Sequence, residues 1–494
     1  MPSSAPPPNE APSSALGAQK LGLWDAVSII VGIVIGAGIY ETPPLVFSAV
    51  SEPAEVFAVW ALGGLLSLIG ACCYAELAST YPRSGGDYVY LTRAFSPLVG
   101  FLFGWAQLSV IMTGSIGMMA YVFADYGSEL WGLNPSSGAL LAASAVLILT
   151  ACNLAGVALG KAAQNALSLL KLLGLVAVVA CGFLFAGAGA SPAVPSPSQA
   201  GSSLGMAMIL VLYTFGGWND AAYVAAEVSH PRRNLPRALL LGTLLITLVY
   251  LLINAAFLVG LGFEGARTSR AIAVDLLRGA FGPGGATVIS VLVMVSALSA
   301  VNALIFTGSR LHATLGRDYD VLGLLGRWHP RLGAPVWSLL VQLVITLVLI
   351  ATVGTRAGRG AVDGGLSALG FARADWSGHG GFDALLRCTA PVFWLFFLLT
   401  GLSLFVLRVR EPARARPFRV PLYPLLPAIF CATCAAMLYS AISYAGKLTL
   451  IGFAPLLLGI PLYFASKGPR RRTSDEPLDA RYDRRPARRR LLAE

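Results

Sequence analysis

The sequence predicts an all-α membrane protein of about twelve transmembrane helices, with the first and the sixth of them interrupted. Three observations carry this expectation. Long apolar runs are separated by short charged breaks. Lys and Arg crowd into every second break. Paired glycines sit deep inside the first and sixth runs.

The apolar runs come first. The 494 residues are 56% hydrophobic and only 12% charged, with a mean hydropathy of +0.72. Soluble globular proteins carry about 25% charged residues. A single soluble core cannot hide that much apolar surface, but a bilayer can. Stretches such as Leu204–Tyr213, Ala238–Leu261 and Pro335–Val353 approach the roughly 20 residues that cross the hydrocarbon core as a helix. Backbone groups must pair internally there, which selects helices over open sheets. Counting by apolar length gives spans near 23–48, 54–80, 95–126, 138–156, 162–187, 204–228, 237–262, 284–315, 334–353, 384–407, 421–444 and 447–466. Residues 1–20 are Pro/Ser/Ala-rich, which predicts a disordered cytosolic N-terminus. They lack the basic start and short apolar core of a signal peptide, so the first span should remain in the mature chain. The membrane domain is expected over 21–466, followed by a basic cytosolic tail over 467–494.

The breaks test the count. Those after even-numbered spans hold Arg83 and Arg93, Lys161, Arg232 with Arg233 and Arg237, Arg310 with Arg317, Arg327 and Arg331, and then Arg408, Arg410, Arg414, Arg416 and Arg419. On the opposite side, 49–53 and 188–203 have no Lys or Arg, while 263–283 and 354–383 have three each. The positive-inside rule puts both termini in the cytosol of an inner or plasma membrane. The segment 354–383 is long, Gly-rich and without strong period, so it reads as an irregular outer loop, a tolerated insertion more than a lid. The tail, with ten Lys/Arg against five Asp/Glu and the runs Arg470–Arg472 and Arg488–Arg490, supplies about +5 of the net charge of +11. That placement fits an orientation signal and anionic-lipid contact rather than nucleic-acid binding. Seven cysteines lie in or beside apolar spans and four histidines are scattered. Neither set has metal or catalytic spacing, so no enzyme, metal or cofactor is expected.

The interrupted spans carry the chemistry. Span one reads Ile35-Gly36-Ala37-Gly38, and span six reads Tyr213-Thr214-Phe215-Gly216-Gly217-Trp218-Asn219-Asp220. Each helical Gly costs about 1 kcal/mol relative to Ala, so such pairs suit poorly a plain membrane anchor. Broken helices free amides and carbonyls, which is tolerable at membrane depth where they line a cavity. Matched interruptions in two halves point to a midplane substrate site. Amides at Gly36, Ala37 and Gly38 would face a carboxylate, helped by the positive end of the following half-helix. Carbonyls at Tyr213, Thr214 and Phe215 would face an ammonium. Together they suit a zwitterion such as an α-amino acid, with Tyr213 and Phe215 as an aromatic cover. Lys171 lies in the middle of span five, where it cannot reach either interface, and is a candidate fixed cation in the place a sodium ion would take. Asp220 would touch a cationic substrate, carry a proton, or cap a half-helix. Glu76 and Glu227 lie near span ends as interface contacts.

These residues resemble a known family. Tyr74-Ala75-Glu76-Leu77 with Tyr81-Pro82-Arg83-Ser84-Gly85-Gly86-Asp87-Tyr88, Gly217-Trp218-Asn219 with Pro231-x-x-Asn234-Leu235-Pro236-Arg237, Ser299-Ala300-Val301-Asn302 with Phe306-Thr307-Gly308-Ser309-Arg310, and Arg416-Pro417-Phe418-Arg419-Val420-Pro421 are similar to motifs of the amino acid–polyamine–organocation transporters. Within them the likeness is to the L-type amino acid transporter branch and its bacterial relatives. The resemblance implies a 5+5 inverted repeat, with repeats near 23–187 and 204–407 and peripheral helices over 421–466. It implies sodium-independent secondary transport of neutral L-amino acids, with exchange as the leading mode and proton-coupled, cationic amino acid or polyamine transport as the alternative. It also implies carboxylate binding at Gly36–Gly38, ammonium binding at Tyr213–Gly216 with Asn219 nearby, Tyr213 as a gate, and Lys171 as the sodium surrogate. Gln164 matches a family position, and Asp220, Ser299 and Asn302 join Tyr213 as gating or coupling candidates. The chain departs from the pattern at Ala37, Tyr40 and Asp220. The loop 127–137 has no Cys, so a disulfide-linked heavy subunit is not expected, and a monomer is.

Overall fold

The computed structural model describes residues 21–36, 38–83, 85–134, 137–185, 204–269, 272–368, 370, 372–374, 376 and 380–466. Residues 1–20, Ala37, the 188–203 loop, His379 and the tail 467–494 lie outside that set, as does the Glu227 side chain.

All described elements are helical. The first span is α1 (Leu23–Val34) and α2 (Gly38–Ala49), bent by 54° at the glycine break. The second is α3 (Pro53–Thr80), started by a proline at its first position, where the missing N–H is not needed. A short α4 (Asp87–Ala94) leads to the third span, Pro97–Leu130, made of α5 (Pro97–Ala106), a π turn over Gln107–Ile111 and α6 (Met112–Leu130). Ser96 caps it by accepting from the Val99 amide at 3.3 Å. Then come α7 (Gly138–Leu154), α8 (Val157–Leu184), α9 (Leu204–Thr214) with a 3-10 helix over Trp218–Glu227, and α10 (Pro231–Thr268). The sequence ends the seventh span at 262, and Gly262 (φ 73) breaks α10 at that residue. The remainder are α11 (Ile272–Phe281), α12 (Pro283–Asp318), α13 (Val336–Gly354), α14 (Arg356–Ala368), α15 (Gly381–Arg410), α16 (Leu425–Ala445) and α17 (Leu448–Ala465).

Among the described residues, nine helices are long and apolar enough to cross a membrane, and the α1–α2 pair makes a tenth. The other two expected spans are shorter. The helix α7 has 17 residues, and the sixth span is 11 residues of α-helix followed by 10 of tighter 3-10 helix. The segment 354–383 is not wholly irregular, because it contains α14. There Asp363 accepts from the Ala374 amide and the Trp376 indole at 3.0 and 3.1 Å, while Val362 and Leu366 pack with Leu448 and Ile451. Its glycines masked that amphipathic period in the sequence.

Packing is reciprocal between the halves. The helix α1 packs on α10, as α9 does on α3; α8 packs on α12, as α15 does on α6. Exchanging spans one to five with six to ten interchanges these contacts. The helix α8 shows how lipid and core faces are divided. Leu169 and Leu173 are 59% and 57% exposed, whereas Gln164, Ser168, Lys171, Leu175 and Val178 form one buried face. This follows helical spacing.

At one end of the bundle, buried Glu76 of α3 accepts from Arg408 Nε at 2.8 Å and the Val420 amide at 2.7 Å, with Arg416 Nε at 3.4 Å. It clasps α3 to the segment between α15 and α16. Removing Glu76 strips Arg408 and the Val420 amide of a buried acceptor, although Arg416 keeps the Leu407 and Glu411 carbonyls, and breaking such a buried pair costs about 3–5 kcal/mol. Glu76→Ala is therefore expected to lower the melting temperature of the detergent-solubilised protein clearly, as read by intrinsic fluorescence. An unchanged melt would remove the clasp from the account.

Candidate functional site

The two interrupted spans meet beside one cavity of about 140 Å³. Gly36, Gly38, Tyr213, Thr214, Gly216, Gly217 and Asp220 line it from the breaks. The third span adds Gln107, Met112 and Met118, and α15 adds Phe393 and Trp394. The π turn at Gln107–Ile111 inserts an extra residue into that wall, a device common at functional sites.

Each break is built by local geometry. The helix α1 ends at Val34, and the Gly36 amide turns back to the Val34 carbonyl at 2.8 Å. The helix α2 restarts at Gly38, so its first amides have no carbonyl one turn back. In the sixth span the Gly216 amide closes a turn on the Tyr213 carbonyl at 2.9 Å, and Gly217 (φ 104) takes a conformation that disfavours any side chain. Thr42 and Thr214 hydroxyls meet across the two breaks at 2.7 Å.

The freed carbonyls find side-chain donors. The Tyr250 hydroxyl of α10 lies 2.9 Å from the Val34 carbonyl and 3.1 Å from that of Thr214, tying both breaks together. The Ser296 hydroxyl donates to the Ile35 carbonyl at 3.3 Å. Lys171, only 1% exposed, donates from Nζ to the Gly32 carbonyl at 2.8 Å. Carbonyl oxygens have a second lone pair, so those of Tyr213 and Thr214 keep accepting capacity.

Other sequence candidates lie around this centre. Tyr213 reaches the third span, its hydroxyl 3.2 Å from Met118 Sδ. Phe215 does not line the cavity; its ring packs on Trp60 and Tyr250 at 6.1 and 5.0 Å between centroids. Ile35 is fully buried, and Asn219 donates to the Tyr223 hydroxyl at 3.4 Å, behind the wall. Ser299 and Asn302 belong to a separate polar network. Asn302 donates to Gln164 at 3.0 Å and to the Gly160 carbonyl at 3.2 Å, and accepts from Asn153 at 2.8 Å, while Gln164 Nε2 lies 3.1 Å from Ser168 and 3.4 Å from Ser299. This network joins α7, α8 and α12 next to Gly32, where an added Cβ would sit 2.7 Å from Gln164 Nε2. Gln107, Tyr250 and Ser296 were missed in the sequence. A tyrosine and an amide within apolar runs need buried partners, and that was the available signal.

A multi-span helical protein with paired broken helices around a shared cavity defines a membrane carrier by its architecture. Residues 21–460 match the amino acid permease family, and the chain belongs to it. It is 29% identical to the mouse Asc-type amino acid transporter 1 over 464 residues, covering 90% of this chain and 81% of that protein. It is 29% identical to the human large neutral amino acids transporter small subunit 2 over 457 residues, covering 90% and 80%. With the mouse b(0,+)-type amino acid transporter 1 it shares 28% identity over 413 residues, covering 82% and 79%.

Proposed function

We propose that the chain is a sodium-independent secondary transporter that exchanges neutral L-amino acids across the cell membrane by alternating access. The observation that carries this reading is the meeting of both breaks at one cavity, tied by the Tyr250 hydroxyl to the Val34 and Thr214 carbonyls. The substrate carboxylate takes the first amides of α2, that of Gly38 among them, because the Gly36 amide is closed on the Val34 carbonyl, and the ammonium takes carbonyls of Tyr213 to Gly216. Apolar lining from Ile33, Met118 and Leu212 accommodates an uncharged side chain. Lys171 holds a fixed positive charge against the first span in place of a sodium ion. Tyr213 gates the cavity.

Alternating access draws support from the reciprocal packing of the two halves and from a second, smaller cavity of about 40 Å³. Asp25, Ile29, Gln164 and Thr307 are among its lining residues, so that it adjoins the Gln164–Asn302 network. The start of the first span is meanwhile tied to the end of the sixth, the Ser229 amide donating to the Leu21 carbonyl at 2.8 Å. On this reading one five-helix repeat rocks against the other and exposes the site to either side, with both termini cytosolic by loop charge. Exchange follows the L-type pattern of the motifs. The reading includes no subunit disulfide-linked through 127–137, which lacks cysteine.

The test is uptake of radiolabelled leucine into liposomes containing the purified protein. Uptake is expected without sodium or a pH gradient, and only when the liposomes are preloaded with amino acid. Uptake into empty liposomes driven by a pH gradient would replace exchange with proton symport, and sodium-dependent uptake would remove the role given to Lys171.

A further inference from the structure

A further cavity, of about 250 Å³, lies away from both breaks, at the turn between α16 and α17. Each of these helices is long and apolar enough to cross a membrane. The turn at Gly446 and Lys447 therefore marks the level at which two spans leave the hydrocarbon. Arg373, Arg387 and Lys447 line the cavity with Tyr444 and the turn itself, and among the described residues no acidic side chain does.

Three separate segments bring these cations together. Ala374, Cys388 and Leu448, each next in the chain to one of them, pack in one small buried cluster. Asp363 fixes the first segment by accepting from the Ala374 amide at 3.0 Å. Arg387 is balanced, its Nε donating to Asp383 at 2.9 Å and its Nη1 to the Tyr444 carbonyl. Arg373 and Lys447 have no ion-pair partner among the described residues. Like charges gathered at one cavity repel unless a counter-charge joins them. The helix end adds to the deficit. Lys447 occupies the N-cap of α17, whose first turn holds no acidic residue, although a helix N-terminus favours an anion. On the orientation read from loop charge this end faces outward, where the positive-inside rule gives Arg373 and Lys447 no topological role.

The level of the site indicates the source of the anion. Ile442, Tyr444 and Leu450 beside it are exposed, an apolar and aromatic rim of the kind that faces the lipid interface. We propose that this cavity binds the phosphate of an anionic phospholipid. Arg373, Lys447 and the remaining N–H groups of Arg387 take its oxygens, and its acyl chains run along the exposed faces of α16 and α17. The lipid ties the 354–383 segment to the α16–α17 turn. Two unbalanced cations call for a ligand with net negative charge, which a choline headgroup would cancel.

The experiment is thermal melting of the purified full chain in detergent, read by intrinsic fluorescence, with added phosphatidylglycerol, phosphatidylcholine or inorganic phosphate. Phosphatidylglycerol is expected to raise the wild-type melting temperature saturably, and the other two to have little effect. In Arg373→Ala/Lys447→Ala the concentration giving half of that rise should increase by about 10-fold or more, as removal of two membrane-surface charges implies. Arg373→Lys/Lys447→Arg should keep it. Both positions are exposed, and melting without lipid checks that the variants are folded. The basic tail is the same in every variant, so its contribution cancels. An unchanged half-concentration in the alanine variant would overturn the site, as would phosphatidylcholine acting as strongly as phosphatidylglycerol. Inorganic phosphate acting as well as the lipid would overturn the lipid assignment in favour of a free anion.

Discussion

Replacing Lys171 by alanine is expected to abolish amino-acid transport, with uptake falling on the order of 100-fold or more, as loss of one buried charged partner implies. The argument starts from α8. Its lipid side carries Leu169, Leu170, Leu172 and Leu173, all exposed, while Lys171 points the other way and is almost fully enclosed. An ammonium in that position persists only where acceptors repay its desolvation. One acceptor is the Gly32 carbonyl, a turn before the first-span break. The lysine thus fixes the end of α1 against α8 at the point where helical hydrogen bonding stops. Without it the carbonyl is unpaired and the break is free to shift, taking with it the amides that the proposal gives to the substrate carboxylate. Lys171→Met separates charge from most of the packing, because it keeps an unbranched side chain that is shorter only by the terminal ammonium. It should fail as alanine does, while retaining a native elution profile. Transport at the wild-type rate in Lys171→Met would remove the lysine from the mechanism.

The second large effect is expected at Gly217. Its φ of 104 lies where a side chain is strained, and an added Cβ would stand 2.6 Å from Ile33 Cγ2. Backbone strain alone is worth about 1–3 kcal/mol, and Ile33 belongs to α1, which the cavity shares. Gly217→Ala therefore pushes the first and sixth spans apart at the binding site. Leucine affinity should fall by about 100-fold, the equivalent of about 3 kcal/mol, in a competition assay. Gly38 is a useful contrast. A Cβ there would lie 3.2 Å from Thr214 Cγ2, so alanine requires only a small adjustment and leucine a large one. Normal affinity in Gly217→Ala would mean that the two spans are not held together as described.

Much of this arrangement was legible in the sequence because the bilayer imposes strong rules. Apolar length located the spans, and helix-breaking glycines located both interruptions, since an α-helix in lipid rarely spends two glycines without a reason. Lys171 stood out because charge inside an apolar run is expensive. What was illegible depends on side-chain direction across space. Phe215 reads as an aromatic gate by position, yet packs behind the break against Trp60 and Tyr250. Nothing local distinguishes the two faces of such a short broken segment. Tyr250 sits among leucines in α10, and only tertiary packing brings its hydroxyl to two carbonyls that are distant in the chain. Asn302 likewise finds Gln164 and Asn153 from separate helices. The helix α14 escaped notice because glycine-rich composition hides periodicity.

The central claim is that the paired breaks bind both charged ends of an α-amino acid. Its most direct test is competition against radiolabelled leucine, without sodium, by leucine, leucinamide and isocaproate. Leucinamide lacks the carboxylate that the proposal assigns to the first break, and isocaproate lacks the ammonium that it assigns to the sixth. Leucine alone is expected to compete well, with each analogue weaker by about 10-fold or more, since each loses charge-assisted hydrogen bonds. Competition by either analogue as strong as that of leucine would contradict the assignment of that end of the substrate to its break.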